Sequence, residues 1–209
     1  MLKRTKGRLL LTLLVITGLA GTLSNPALNK EERKFALTQL KDTKANFIKS
    51  VKGLSETQLN FKTAPDRWSI KECIFHIAMT ETALTKMFET TMQTQANPEK
   101  RADIKMTDEE IIKKFTDRTH KLTAPEMLNP LKSKPSWETA AEALSAFKDI
   151  RQDKLKYVKT TTEDLRNHVF QMPFGSIDGY QMILFMAAHS DRHTQQINEI
   201  KADPNFPKQ

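Results

Sequence analysis

DGYQMILFMAAHSDRHTQQINEIK, residues 178–201, decides how this chain is read. Met182, Phe185, Met186, Ile197 and Ile200 recur at helical spacing. Asp178 stands where an N-cap belongs, and Gln181 occupies the partner position three residues on. Pro204 lies just beyond Lys201, where a helix must already have stopped. The stretch is therefore one long helix, and it is apolar enough to be largely buried. His189 and His193 sit in its middle, four residues apart, so both imidazoles leave the same face one turn from each other. Buried imidazoles need partners, because an unpaired polar group in a core costs roughly 1–3 kcal/mol. Spacing alone leaves two readings open: a pair of metal ligands, or two hydrogen-bonded core histidines.

Upstream, the chain reads as helices almost throughout. Only six Gly occur in 209 residues, and alternating strand patterns are lacking. A first helix is expected over Asn29–Leu54, with Phe35, Leu40, Phe47, Val51 and Leu54 on its apolar face. The segment around Pro65 interrupts it. A second helix opens at Ser69, where Ser69 and Glu72 make an S-x-x-E capping box, and runs to about Gln95. A polar connection over 96–106 follows. Thr107 and the acids Asp108, Glu109 and Glu110 open a shorter helix to about Leu122, which is expected to cover one end of the molecule. Pro125, Pro130 and Pro135 keep the next stretch non-helical. A further helix is expected over Ser136–Lys159, and Gly175 and Gly179 are expected to flank a turn before the last helix. Four long helices with unequal connections make an all-α four-helix bundle, with the extra short helix in the long connection between core helices 2 and 3.

The second long helix carries a further histidine, His76, in IKECIFHIAMTE. A third imidazole from a neighbouring helix would complete a three-His set with a position left open for water or substrate, the pattern of catalytic rather than structural zinc. The alternative for His76 is a hydrogen-bonded core residue. His120 and His168 are read as surface residues. Cys73 is the single cysteine, which excludes an intramolecular disulfide, and its apolar setting predicts a buried, inert thiol.

The first residues differ in kind from the rest. MLKRTKGR carries Lys3, Arg4, Lys6 and Arg8 and no acid, and LLLTLLVITGLA follows. A basic start, a short apolar run and small residues after it predict a secretory signal over residues 1–24. The run is too short for an ordinary membrane span, and an uncleaved tether is the alternative. The protein is therefore expected to be exported, periplasmic or secreted. The formal charge of +8 includes those four positives, so the remaining chain carries about +4, 29 Lys and Arg against 25 Asp and Glu. That is an ordinary mixed surface, and no basic block with interleaved aromatics supports nucleic-acid binding. Membrane contact is expected only through the N-terminal segment. The residues assign no oligomeric state, and a homodimer stays open.

Two elements together carry a resemblance. DRWSIKECIFHIAMTE, with Trp68-Ser69 leading into His76, and MAAHSDRHTQQI, with its H-x-x-x-H and following Gln196, resemble the DinB-like (DinB/YfiT-type) family of four-helix metalloproteins. The likeness covers residues 29–205, nearly all of the chain after the signal. It implies an up-down-down-up bundle and one divalent transition metal, zinc or nickel, held by His76, His189 and His193. It also implies a metal-dependent hydrolase or thiol-transferase acting on a small molecule. Export speaks against low-molecular-weight thiols, which are mainly cytosolic. A non-catalytic, stress-associated metal- or ligand-binding protein is the alternative, and a purely structural bundle is the third reading. Many family members carry His where this chain has Arg192, and Arg-Gly where it has Thr194-Gln195, so no particular substrate transfers. Glu72 and Arg192 are candidate helpers, the first competing with its role as a cap and the second with that of a surface charge.

Overall fold

The computed structural model describes residues 27–208; the expected signal over 1–24 lies outside the described residues. Six α-helices are α1 (Lys30–Val51), α2 (Glu56–Asn60), α3 (Ile70–Met92), α4 (Asp108–Thr116), α5 (Ala140–Thr160) and α6 (Gly179–Lys201). Each begins with a complete capping box: Asn29 with Glu32, Ser55 with Gln58, Ser69 with Glu72, Thr107 with Glu110, Thr139 with Glu142 and Asp178 with Gln181. These reciprocal bonds satisfy the first free N–H groups and fix where each helix starts.

The long helices α1, α3, α5 and α6 form the bundle. α1 packs on α5 and α6, and α3 packs on the same two helices from the other side. Contacts at the ends fix the directions. Tyr180 donates to the Glu32 carbonyl at one end (3.0 Å) and Lys201 to the Ser50 carbonyl at the other (2.8 Å), so α1 and α6 run parallel. Arg33, at the start of α1, donates to the Thr161 carbonyl just past α5 (2.9 Å), so those two are antiparallel. Phe88 meets Tyr157 late in both α3 and α5, while Cys73 and Ala143 share a cluster early in both, so α3 and α5 are parallel. The order is up, down, down, up, which places the crossover between α3 and α5.

Helix α4 lies in that crossover and packs along α6 through Ile111 and Phe115. It is shorter than the 107–122 read from sequence. The Asp117 carboxylate accepts from the Thr119 N–H (2.8 Å), a local turn that competes with continuing the helix. The helix expected from Ser136 likewise starts only at Ala140, after the Thr139 cap. The larger difference is a β-hairpin where no strand was expected. β1 (Val169–Met172) pairs antiparallel with β2 (Gly175–Asp178), in register Val169 with Asp178 and Met172 with Gly175. The turn is Pro173–Phe174, not the stretch between Gly175 and Gly179. Three of the four residues in each strand are buried, so the alternation that marks a half-exposed strand is missing.

Two apolar clusters fill the bundle, one around Leu40, Leu84, Leu155 and Ile183 and one around Phe47, Ile74, Phe147 and Ile197. Between them, at one level of the four helices, lies a polar layer: Thr43, Glu81, Arg151 and Ser190, all buried. Phe35, expected in the core, is 41% exposed.

Candidate metal centre

Helix α3 runs antiparallel to α6 and faces His76 towards the His189–His193 pair. The three rings gather at centroid separations of 5.0 Å (His76 to His189), 4.5 Å (His76 to His193) and 4.7 Å (His189 to His193). One nitrogen from each lies within 4.8 Å of the others, the geometry of a site able to hold a metal ion. His76 Nε2 and His189 Nε2 are 3.1 Å apart. Two nitrogens at that separation can both stand about 2.0–2.1 Å from one ion.

The surroundings set which nitrogen faces inward. His76 Nδ1 donates to the Leu128 carbonyl at 2.7 Å. A carbonyl only accepts, so Nδ1 carries the proton. Burial lowers the His76 pKa from 6.5 to about 4, partly offset by that bond, so the ring is neutral and its Nε2 presents a lone pair. His193 Nδ1 donates to Gln196 Oε1 at 3.0 Å, and Arg118 approaches the same oxygen at 3.5 Å, which fits the amide oxygen facing two donors. His193 is therefore set in the same tautomer. Burial, followed by its histidine neighbours, holds His189 well below the usual imidazole range, and burial does the same to His193. Neutral imidazoles with the outer nitrogen tied back are the form that ligates a metal.

The Trp68 ring covers the cluster, 4.7 Å from His76 and 5.9 Å from His193. Phe185 stands edge-on to His189 at 6.0 Å. Among the described residues, no carboxylate or thiolate joins the three imidazoles in this group. Glu72 is engaged elsewhere: it accepts from the Ser69 N–H (2.7 Å) and pairs with Lys62 (2.7 Å). Cys73 is buried, and burial pushes its thiol pKa far up.

Three other readings of single residues are corrected or kept. Arg192 is not a surface charge but is 3% exposed. It donates to the carbonyls of Asp117 and His120, clasping the segment that leaves α4. His168 is also buried, with its ring nitrogens 2.7 Å from the Asp164 carbonyl and 3.1 Å from the Thr94 carbonyl. His120 is exposed, as expected. Sequence reasoning did not find the Leu128 carbonyl, since a backbone acceptor leaves no mark in the residue type. Gln196 was visible only through the family likeness.

Comparison with known proteins gives three results. The model of the DinB superfamily matches residues 39–197, more than half of the chain. The uncharacterized protein YuaE of Bacillus subtilis (strain 168) is 28% identical over 152 residues, covering 72% of this chain and 88% of that protein. The solved structure of YfiT from Bacillus subtilis, described as "a probable metal-dependent hydrolase with an unusual four-helix bundle topology", matches with a TM-score of 0.57. That match covers 84% of this chain and 89% of the other at 14% identity, a likeness of fold.

Proposed function

The chain belongs to the DinB superfamily, and on that premise we propose that it holds one divalent transition metal through His76, His189 and His193 and hydrolyses a small-molecule substrate. The observation that carries the reading is the pair of fixed tautomers. Leu128 and Gln196 turn the lone pairs of His76 and His193 towards the same place as His189. A purely structural role would be met by any hydrogen-bonded arrangement and does not call for three converging nitrogens. Imidazole donors suit zinc or nickel. Bound there, such an ion supplies Lewis acidity and the activation of water. The chain's own residues bind and orient: the Leu128 carbonyl and Gln196 amide hold the imidazoles, and Trp68 shields two of them from bulk water.

Hydrolysis is preferred to thiol transfer because residues 1–24 have the pattern of an export signal, and YfiT, of like fold, is described as a probable metal-dependent hydrolase. The close cover of Trp68 over the imidazoles favours a second reading, a metal-binding protein without turnover. Elemental analysis of the mildly purified protein tests the shared premise. Near one equivalent of metal is expected, and less than about a tenth, or full content in His189→Ala, overturns the site. Visible spectra of the cobalt-substituted protein then separate the chemistries: a new band on adding thiols supports thiol transfer over water activation.

A further inference from the structure

A cavity of about 480 Å³ opens between α3 and α5. It lies towards the far end of α3 from His76: Phe88 in its wall is twelve residues on, about 18 Å along the helix. Its lining includes Thr85, Phe88, Met92, Ile150, Lys154 and Tyr157. Two polar groups in it lack partners. Thr85 Oγ1 is buried and makes no hydrogen bond. Lys154, only 4% exposed, makes no hydrogen bond or ion pair among the described residues. Its Nζ rests 4.0 Å from the Phe88 ring centroid and 5.5 Å from that of Tyr157.

A cation–π contact steadies an ammonium but accepts none of its hydrogen bonds in the ordinary sense. A charge buried without a bonded counter-ion is costly, and burial lowers the Lys154 pKa, with Glu89 and Glu81 acting the other way. Glu81 is already paired with Arg151, whose own charge opposes that of Lys154. One incoming anionic group meeting both Nζ and the Thr85 hydroxyl would satisfy both. The walls around it are aromatic and aliphatic, so the rest of the ligand is hydrocarbon. Glu89, Asp153 and Glu163 stand exposed at the mouth. They oppose a multiply charged anion such as phosphate more than a monoanion. The Tyr157 hydroxyl is already donated to Glu163 (2.7 Å).

We infer that this cavity is a second ligand site that takes a small apolar monocarboxylate, with its carboxylate on Lys154 Nζ and Thr85 Oγ1 and its hydrocarbon against Phe88, Tyr157 and Met92. The test is calorimetric titration of the full chain with phenylacetate. Binding with a Kd below about 1 mM is expected. Lys154→Met, which keeps the stem and removes the charge, should weaken it at least about tenfold. Thr85→Val, close in shape to threonine, should weaken it by about threefold or more and keeps the test valid if Lys154→Met does not fold. Inorganic phosphate should not compete. The inference is overturned if the native chain binds no phenylacetate up to about 10 mM, or if both variants bind it as the native chain does. Competition by phosphate overturns the ligand class. Loss of binding in His189→Ala would move the carboxylate to the imidazole cluster and overturn the site.

Discussion

Arg151 is fully buried and grips Glu81 with two bonds, Nε to Oε1 at 2.7 Å and a terminal nitrogen to Oε2 at 2.8 Å. The same terminal nitrogen also reaches Ser190 (3.1 Å) and the Met186 carbonyl (3.2 Å), and the other terminal nitrogen donates to Thr43 (3.0 Å). One side chain thus ties all four bundle helices at the level of the polar layer, beside His189. Removing one partner leaves the other charge uncompensated in the core, which costs about 3–5 kcal/mol. Arg151→Met is expected to lower the unfolding free energy by that amount in urea titration. Replacing Glu81 with Met as well should recover part of the loss, since no charge is then stranded. A single variant with native stability would show that the layer is open to water.

Stability should fall with acid in the metal-free chain. His76 has a folded pKa of about 4 against 6.5 unfolded. Between those values the unfolded chain binds more protons, so the full contribution is present above pH 6.5 and is lost as pH falls towards 4. For His76 alone the loss amounts to about 3 kcal/mol. His189 and His193 shift in the same direction and enlarge it. Melting temperatures of chelator-treated protein from pH 7 to 5 should drop steadily. A flat profile would mean that the imidazoles are better solvated than their burial implies.

Gln196 should control metal affinity without being a ligand. Gln196→Leu removes the acceptor at 3.0 Å that holds the His193 proton on Nδ1. Losing such an outer partner costs about 10–100-fold in affinity. Competition against a coloured chelator reads this directly, and an unchanged Kd would show that the His193 tautomer is fixed some other way.

What the sequence made legible follows from what leaves a periodic or local mark. Two helix starts were visible because a capping box is a short pattern, Ser69 with Glu72 and Asp178 with Gln181, while the boxes of Ser55 with Gln58 and Thr139 with Glu142 went unread. The three imidazoles were visible as an i, i+4 pair and one histidine in an apolar run, joined by the family likeness. The hairpin was not, because Val169–Met172 is short and buried on both faces. Arg192 was misread because a charged side chain on a helix is usually solvated, whereas this one is spent on carbonyls of a distant segment. Arg151 and Glu81 did leave a signal. Each breaks an apolar stripe, Phe147–Arg151–Leu155 in one helix and Ile77–Glu81–Leu84 in the other, with charges of opposite sign. Two such interruptions in facing helices are the mark of a buried pair.

Gly179, the first residue of α6, admits no side chain. A Cβ there would lie 2.8 Å from the Leu165 carbonyl oxygen and 3.3 Å from the Leu165 Cα. Both are backbone atoms, and Leu165 is itself fully buried, so neither can swing away as a side-chain tip would. The 165–167 turn would have to shift. With it would go Arg166, which binds Glu32 (2.7 Å), Asp108 (2.7 Å) and Asp178 (3.0 Å) and so pins the starts of α1, α4 and α6 together. Alanine is the better helix former by about 0.8–1.0 kcal/mol in a helix interior. At a helix's first residue that gain is smaller, and overpacking against backbone costs about 1–3 kcal/mol. Gly179→Ala is therefore expected to destabilise the chain by roughly 1–2 kcal/mol in urea, the balance of the two effects. Metal content should stay native, because the nearest ligand on the helix, His189, lies ten residues further along, about 15 Å away. A variant as stable as the native chain would show that the Leu165 turn yields, and with it that the Arg166 ion pairs do not hold the helix starts rigidly.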